Sequence, residues 1–227
     1  MARRSDPATF AAVVAWTYAL AMQYGVLRAD DSAVRAIEEA VQTAEGSSDD
    51  TALSLAKLVL GLALVHRTAA ADRQRGLELI EQLRDRWLRE RCFLHLVPGI
   101  ELYAARERAR RGDRDGAIPV MRQAVDDLIT RGEFAYLAGA KGILVETLLN
   151  RGAEGDVAEA DKATDQLANL PADEGLVVRD ITLLRLRALL ARARGDDVAY
   201  RDLANRYRAM AESLGFEGHI AWAEAMM

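Results

Sequence analysis

Residues 112–128 read GDRDGAIPVMRQAVDDL. A Gly-Asp turn opens the stretch, a small residue stands at Ala117, and apolar or small residues return at Met121 and Ala124. Steps of four and three put these side chains on one face of an α-helix. The pattern recurs. In DDSAVRAIEEAV, from Asp30, it falls on Ala33, Ile37 and Ala40, and in RQRGLELIEQL, from Arg73, on Gly76, Ile80 and Leu83. Weaker copies lie at Ala160, Thr164 and Leu167, and at Tyr200, Ala204 and Tyr207. The anchors 33, 76, 117, 160 and 200 are spaced 43, 41, 43 and 40 residues apart. A period sustained at this length predicts stacked helical hairpins.

Each of these second helices has a first helix before it. Leu20, Ala21 and Tyr24 precede Ala33 as a large residue, a small residue and an aromatic, which resembles the tetratricopeptide repeat. In that family small residues on both helices let the backbones approach, and Gly61, Ala105, Gly142 and Ala188 take the first-helix place here. Glycine in mid-helix costs about 1 kcal/mol against alanine, so Gly61 and Gly142 predict close helix contacts. The period exceeds the family's usual length, the signature Trp and terminating Pro are missing, and Pro119 sits at the edge of a first turn. An irregular helical domain without a superhelix is the other architecture this periodicity allows.

The expected fold is all-α, a single domain over 1–227 of right-handedly stacked hairpins: 7–45, 50–91, 98–131, 134–169 and 175–214, with a cap over 216–227. Turn chemistry in AEGSSDD, RRGDRDG, NRGAEGD, NLPADEG and RARGDD separates the helices, and Asp50, Asp113 and Asp156 are the expected N-caps. The cap is read from the last stretch, LGFEGHIAWAEAMM. Phe216, Ile220, Ala223 and Met227 share one face, at a length too short to span a bilayer. A stacked array leaves a bare apolar face on its final hairpin, which such a helix covers. Glu217 and Glu224 deny it the basic face of a membrane-surface helix.

Composition sets the class. Hydrophobic residues make up 51% and charged residues 29% of 227, with a net charge of −5, which describes a globular protein rather than a nucleic-acid binder. The arginine clusters carry Glu or Asp among them, as a solvated helix face does. Cys92 is the only cysteine, so no intrachain disulfide forms, and a reducing cytoplasm is the expected location. The stretch MARRSDPATFAAVVAWTYALA has some features of a signal peptide. Asp6 and Pro7, the polar Thr17 and Tyr18, and the fit to the repeat register point instead to a retained helix.

Five phrases, AEGSSDD, YAARERARRGDRDGAI, LVETLLNRGAEGDVAEA, LLRLRALLARARGDD and LGFEGHIAWAEAMM, together resemble one family. It is the C-terminal helical-repeat region of large actinobacterial, mycobacterial-type signalling proteins. In those a class III nucleotide cyclase domain and an ATPase module precede a tetratricopeptide-like array, and related forms carry a LuxR-type DNA-binding domain. The resemblance spans essentially the whole chain and implies a regulatory or sensor segment. It implies no cyclase or ATPase activity here: Lys57 and Lys141 lack the glycine frame of a phosphate-binding loop, and Lys162 sits in a charged helical stretch.

Candidate chemistry is sparse. His66, His95 and His219 are far apart and lack metal-ligand spacing, His66 suits a helix end, and Cys92 suits an inert buried thiol. No catalytic residue, metal or cofactor is expected. Binding is the stronger expectation. Transferring the repeat register places Tyr18, Met22, Leu58, Leu62, His66, Arg106, Arg110, Tyr136, Glu146, Arg185 and Arg192 along a concave groove. Its first half is apolar and its second half rich in arginine, whose guanidinium fork suits a carboxylate, a phosphate or an acidic peptide. The competing reading is that these arginines merely pair with neighbouring acids. The expected role is that of a non-catalytic interaction or sensor domain with a protein or peptide partner, including cyclase or ATPase domains of the same system. A small-ligand-binding protein is the alternative and an unrecognised enzyme the third reading. No nucleic acid or membrane is expected, and a homodimer is compatible with the pattern.

Overall fold

The computed structural model describes residues 13, 17–47, 49–170 and 177–226. Among these residues the regular structure is helical, with no strand. None of their helices is long and apolar enough to cross a membrane. The chain divides into two compact units, Met1–Ile100 and Glu101–Met227.

In the first unit residues 17–23 are helical; most of what precedes them in the hairpin expected over 7–45 lies outside the described residues. Three helices follow: α1 (Asp31–Glu45), α2 (Asp50–Val65) and α3 (Ala70–Glu90). The run LSLAKLVLGLALV makes α2 apolar on nearly every side, which demands burial all round. It packs against both α1 and α3. These neighbours are amphipathic and offer it the stripes Ile37, Val41 and Ala44, and Leu77, Ile80, Leu83 and Trp87. Gly61 and Gly76 face each other where α2 crosses α3: a β-carbon on Gly76 would lie 2.7 Å from the carbonyl oxygen of Gly61. The close contact expected at Gly61 is therefore present.

The division between the units falls within α4 (Val97–Arg110). The second unit continues with α5 (Arg114–Thr130), a single 3₁₀ turn (Phe134–Tyr136), α6 (Leu137–Arg151), α7 (Asp156–Ala168), α8 (Val177–Ala193), α9 (Asp197–Leu214) and α10 (Glu217–Glu224). Here α6 is the hub, touching α5, α7 and α8, while α8 also packs on α7 and α9. Residues 171–176 lie outside the described residues. Gly215, at φ 65°, closes α9 in the left-handed conformation and lets the chain reverse into α10. Phe216, Ile220, Ala223 and Met226 then pack around Tyr207, Ala211 and Ile181. The final helix thus covers the α8–α9 pair; Met227 lies outside the described residues.

Two details correct the expectations. Of the three expected N-caps, Asp113 holds, its carboxylate accepting from the Gly116 N–H at 3.0 Å. Before α2 the capping side chain is Asp49, which accepts from Thr51 and Ala52, and Asp50 is the first helical residue. Asp156 caps nothing, because its carboxylate is turned into a two-pronged pair with Arg151 at 2.9 and 2.5 Å. It also accepts from the Ala153 N–H.

The second correction concerns Gly142. It makes no close helix contact: a β-carbon there would meet nothing within 4 Å. With open space and an ordinary helical backbone, Gly142→Ala should raise stability by about 1 kcal/mol, the helix-propensity difference. Urea unfolding followed by circular dichroism measures it, and an unchanged or lowered midpoint would refute the open space.

Candidate functional site

Three helices of the second unit each carry long charged side chains on otherwise apolar surfaces. On α4, Arg106 and Arg110 are four residues apart; on α8, Arg185 and Arg192 are seven apart. Both spacings keep the pair on one helix face. Glu146 lies on α6 between Val145 and Thr147, both buried.

These side chains converge. One nitrogen of Arg185, Nη1, lies 2.5 Å from Oε1 of Glu146, with the two side chains 15% and 23% exposed. The same guanidinium lies over the indole of Trp222, 4.7 Å from the ring centroid, a contact that favours a desolvated cation. Its Nε is buried without a hydrogen-bond partner. Arg110 pairs with Glu107, a carboxylate only 2% exposed. Arg106 is half-buried and faces Glu146, Arg110, Arg185 and Tyr103. It forms no hydrogen bond or ion pair with any described residue. Arg192 is exposed, lies 5.5 Å over the ring of Tyr200, and likewise has no carboxylate partner among the described residues. Pairing with local acids therefore accounts for Arg110 and Arg185 and leaves Arg106 and Arg192 over.

The excess of positive charge sets the proton affinities. Burial and the repulsion of Arg110 lower the Arg106 pKa to about 10, against the pull of Glu146. Burial alone would push the Glu146 carboxyl up, but the charges of Arg185 and Arg106 outweigh it and hold the group below the usual carboxylate range. At neutral pH Arg106 and Glu146 are therefore both ionised.

Beside it is a cavity of about 270 Å³. Arg185, Glu146, Arg192 and Asn150 supply its polar lining, and Trp222, Leu149, Leu189 and Met226 its apolar wall. The wall formed by α10 is fixed from behind. Tyr207 Oη and His219 Nδ1 lie 2.8 Å apart in the core, burial pushing the Tyr207 hydroxyl pKa up. Tyr200 Oη donates to the carbonyl oxygen of Met226.

Of the expected groove residues, the structure gathers Arg106, Arg110, Glu146 and Arg185 into one cluster, with Arg192 in the adjoining cavity. Tyr136 ends the 3₁₀ turn, half-buried, and is not in the lining; burial raises its pKa, helped by Glu133. The rest lie in the first unit. There Met22, Leu58 and Leu62 are buried side chains, at 2%, 3% and 5% exposure. Tyr18 is half-buried, and His66 closes α2, its Nδ1 2.7 Å from the Leu62 carbonyl oxygen. Trp222 and Asn150 are cavity residues that the repeat register does not reach. The sequence signals the first only as part of an apolar stripe, and the second not at all. Lys141, 2% exposed, is a further buried charge: its amine donates to Gln166 at 2.8 Å, and burial lowers its pKa against the pull of Asp126.

Comparison of the chain with protein-family models, with curated proteins and with solved structures gives no match. The fold and the site by themselves define an all-helical protein with a partly buried arginine cluster around one glutamate, beside a small cavity.

Proposed function

We propose that the chain is a non-catalytic recognition module of a bacterial signal-transduction system, a regulatory domain that captures a protein or peptide partner through its arginines. On this reading the helical pairs are tetratricopeptide-like hairpins continuing as a right-handed superhelix capped by α10. The module works in the cytoplasm beside cyclase, ATPase or LuxR-type domains. One observation carries the proposal: arginines from α4 and α8 converge on Glu146, which Arg106 shares with Arg185 without an ion pair of its own, while Arg192 forms no ion pair among the described residues. A guanidinium without a local acid is a ready fork for the carboxylates of a partner. The other buried charges support binding over catalysis, since Glu107, Asp156 and Lys141 are each held by a neighbour along the chain or in the core.

The test is affinity capture from an actinobacterial cytoplasmic extract, comparing the parent with the double variant Arg106→Gln and Arg192→Glu. Reversing Arg185 is the poorer choice, because it would set a second carboxylate against Glu146 and report on folding. The expected result is a protein with a cyclase, ATPase or LuxR-type domain, retained by the parent and reduced at least tenfold with the variant. Equal retention by both, with circular dichroism unchanged, would refute the arginine face.

A further inference from the structure

We infer that the cavity between α6, α8 and α10 is a binding site for a small monocarboxylate with an apolar body, its carboxylate seated between Arg185 and Arg192. This goes beyond partner capture and stands or falls separately from it.

Three observations support the assignment. First, the donors of Arg185 are only partly used. Glu146 takes Nη1 at 2.5 Å, and Nε is buried with no acceptor. Buried N–H groups are almost always satisfied, and Arg185, which lines the cavity, carries a planar fork suited to an oxyanion. Second, the charge of the lining is unbalanced. The lining holds two arginines, Arg185 and Arg192, and one carboxylate, Glu146, and that carboxylate is attracted by Arg106 as well as by Arg185. One negative charge is lacking, which fits a monoanion better than a phosphate dianion. Third, the remaining wall is apolar, with Leu149, Leu189 and Met226 beside the Trp222 indole. A space of about 270 Å³ is below the range of drug-sized pockets and takes a molecule of roughly ten non-hydrogen atoms. A bare inorganic anion would leave that wall uncovered.

The site is also pre-formed. Arg185 is already stacked on Trp222, and the segment bearing Trp222 is held by the Tyr207–His219 and Tyr200–Met226 hydrogen bonds. A ligand therefore orders little on entry, which favours affinity. Arg192, exposed at the rim, is the residue that would close on the carboxylate.

Isothermal titration calorimetry on the whole chain at low salt tests this with three probes: 3-phenylpropionate, its neutral amide, and inorganic phosphate. The acid is expected to bind with a Kd below about 1 mM, as befits so few atoms, and at least tenfold tighter than the amide or phosphate. Arg192→Gln, which touches no buried pair, is expected to weaken the acid at least tenfold while circular dichroism stays unchanged. Equal binding of acid and amide would overturn the assignment by reducing the site to an apolar hole. Binding of phosphate alone would overturn the apolar body, and an unaffected Arg192→Gln would overturn the seat of the carboxylate. If no probe binds, the pocket is refuted, and the capture experiment decides separately whether the arginines serve a partner.

Discussion

Gly76→Ala should destabilise the protein by about 3 kcal/mol, near the upper end of what one extra methyl group costs in a packed core. The reason is what the methyl would meet. Its carbon would lie 2.7 Å from the carbonyl oxygen of Gly61, 2.8 Å from the Leu64 β-carbon and 2.9 Å from the Val65 nitrogen. All three belong to the rigid part of α2, so no rotamer change makes room. Relief requires prising α3 from α2, which loosens the seam holding Ile80 and Leu64, both fully buried. The gain in helix propensity, about 1 kcal/mol, offsets only part of this. Stabilities of single domains are about 5–15 kcal/mol, so a large fraction of the total is at stake.

Gly61→Ala supplies the control. Its added carbon would meet Cγ2 of Ile80 at 2.5 Å and the Gly76 carbonyl oxygen at 3.2 Å. The worst clash is with a side chain, and Ile80→Leu removes that atom. The double variant should therefore recover part of the loss that Gly61→Ala causes, whereas Ile80→Leu should not rescue Gly76→Ala. Urea titration of the parent, the three single variants and the two doubles measures the coupling directly. A Gly76→Ala midpoint equal to that of the parent would refute the crossing geometry.

The comparison of Gly61 with Gly142 also marks how far the sequence could be read. Both stand at the small-residue place of a first helix, yet one is pressed against Gly76 and the other faces open space. A repeat register places a residue on a face; it carries nothing about how near the next helix comes. Helix limits were legible because turn chemistry fixes them locally: the hairpin expected over 98–131 ends with α5 at Thr130, and the turn RRGDRDG precedes α5 at Arg114. That Arg106, Arg110, Glu146 and Arg185 stand on successive first helices was legible as shared register; their convergence on Glu146 was not, because register carries no distance between helices. Trp222 was not legible as a cavity residue, because an apolar stripe reads alike whether it meets core or a hollow. Lys141 was legible only as a lysine outside any phosphate loop, since its burial depends on α6 being covered from three sides.

The second large effect is expected at Glu146. Glu146→Gln keeps the shape but removes the one negative charge that Arg185 and Arg106 both face. Neither arginine can shed its proton at neutral pH, because the guanidinium is too basic to be deprotonated in a protein. The variant thus leaves unpaired cations in a poorly hydrated site. Breaking a fully buried pair costs about 3–5 kcal/mol, and residual exposure of 15% and 23% lowers the expectation to about 2–4 kcal/mol at pH 7. The effect should also depend on pH in a defined direction. The folded carboxyl is held below its ordinary value of 4.5, so in acid the unfolded chain binds the proton first. Stability from this group is complete above pH 4.5 and is lost as pH falls through the folded pKa. Asp113 and Asp156 have depressed pKa values too, held down first by their bonds to Arg108 and Arg151 respectively, but they are common to both proteins and cancel in the difference. The gap in unfolding free energy between parent and Glu146→Gln should therefore be widest at neutral pH and shrink steadily below pH 4.5. A gap under about 0.5 kcal/mol at pH 7 would mean that the arginines find other compensation. A gap that stays constant on acidification would mean that the variant acts through packing, and that the charge of Glu146 does not hold the cluster together.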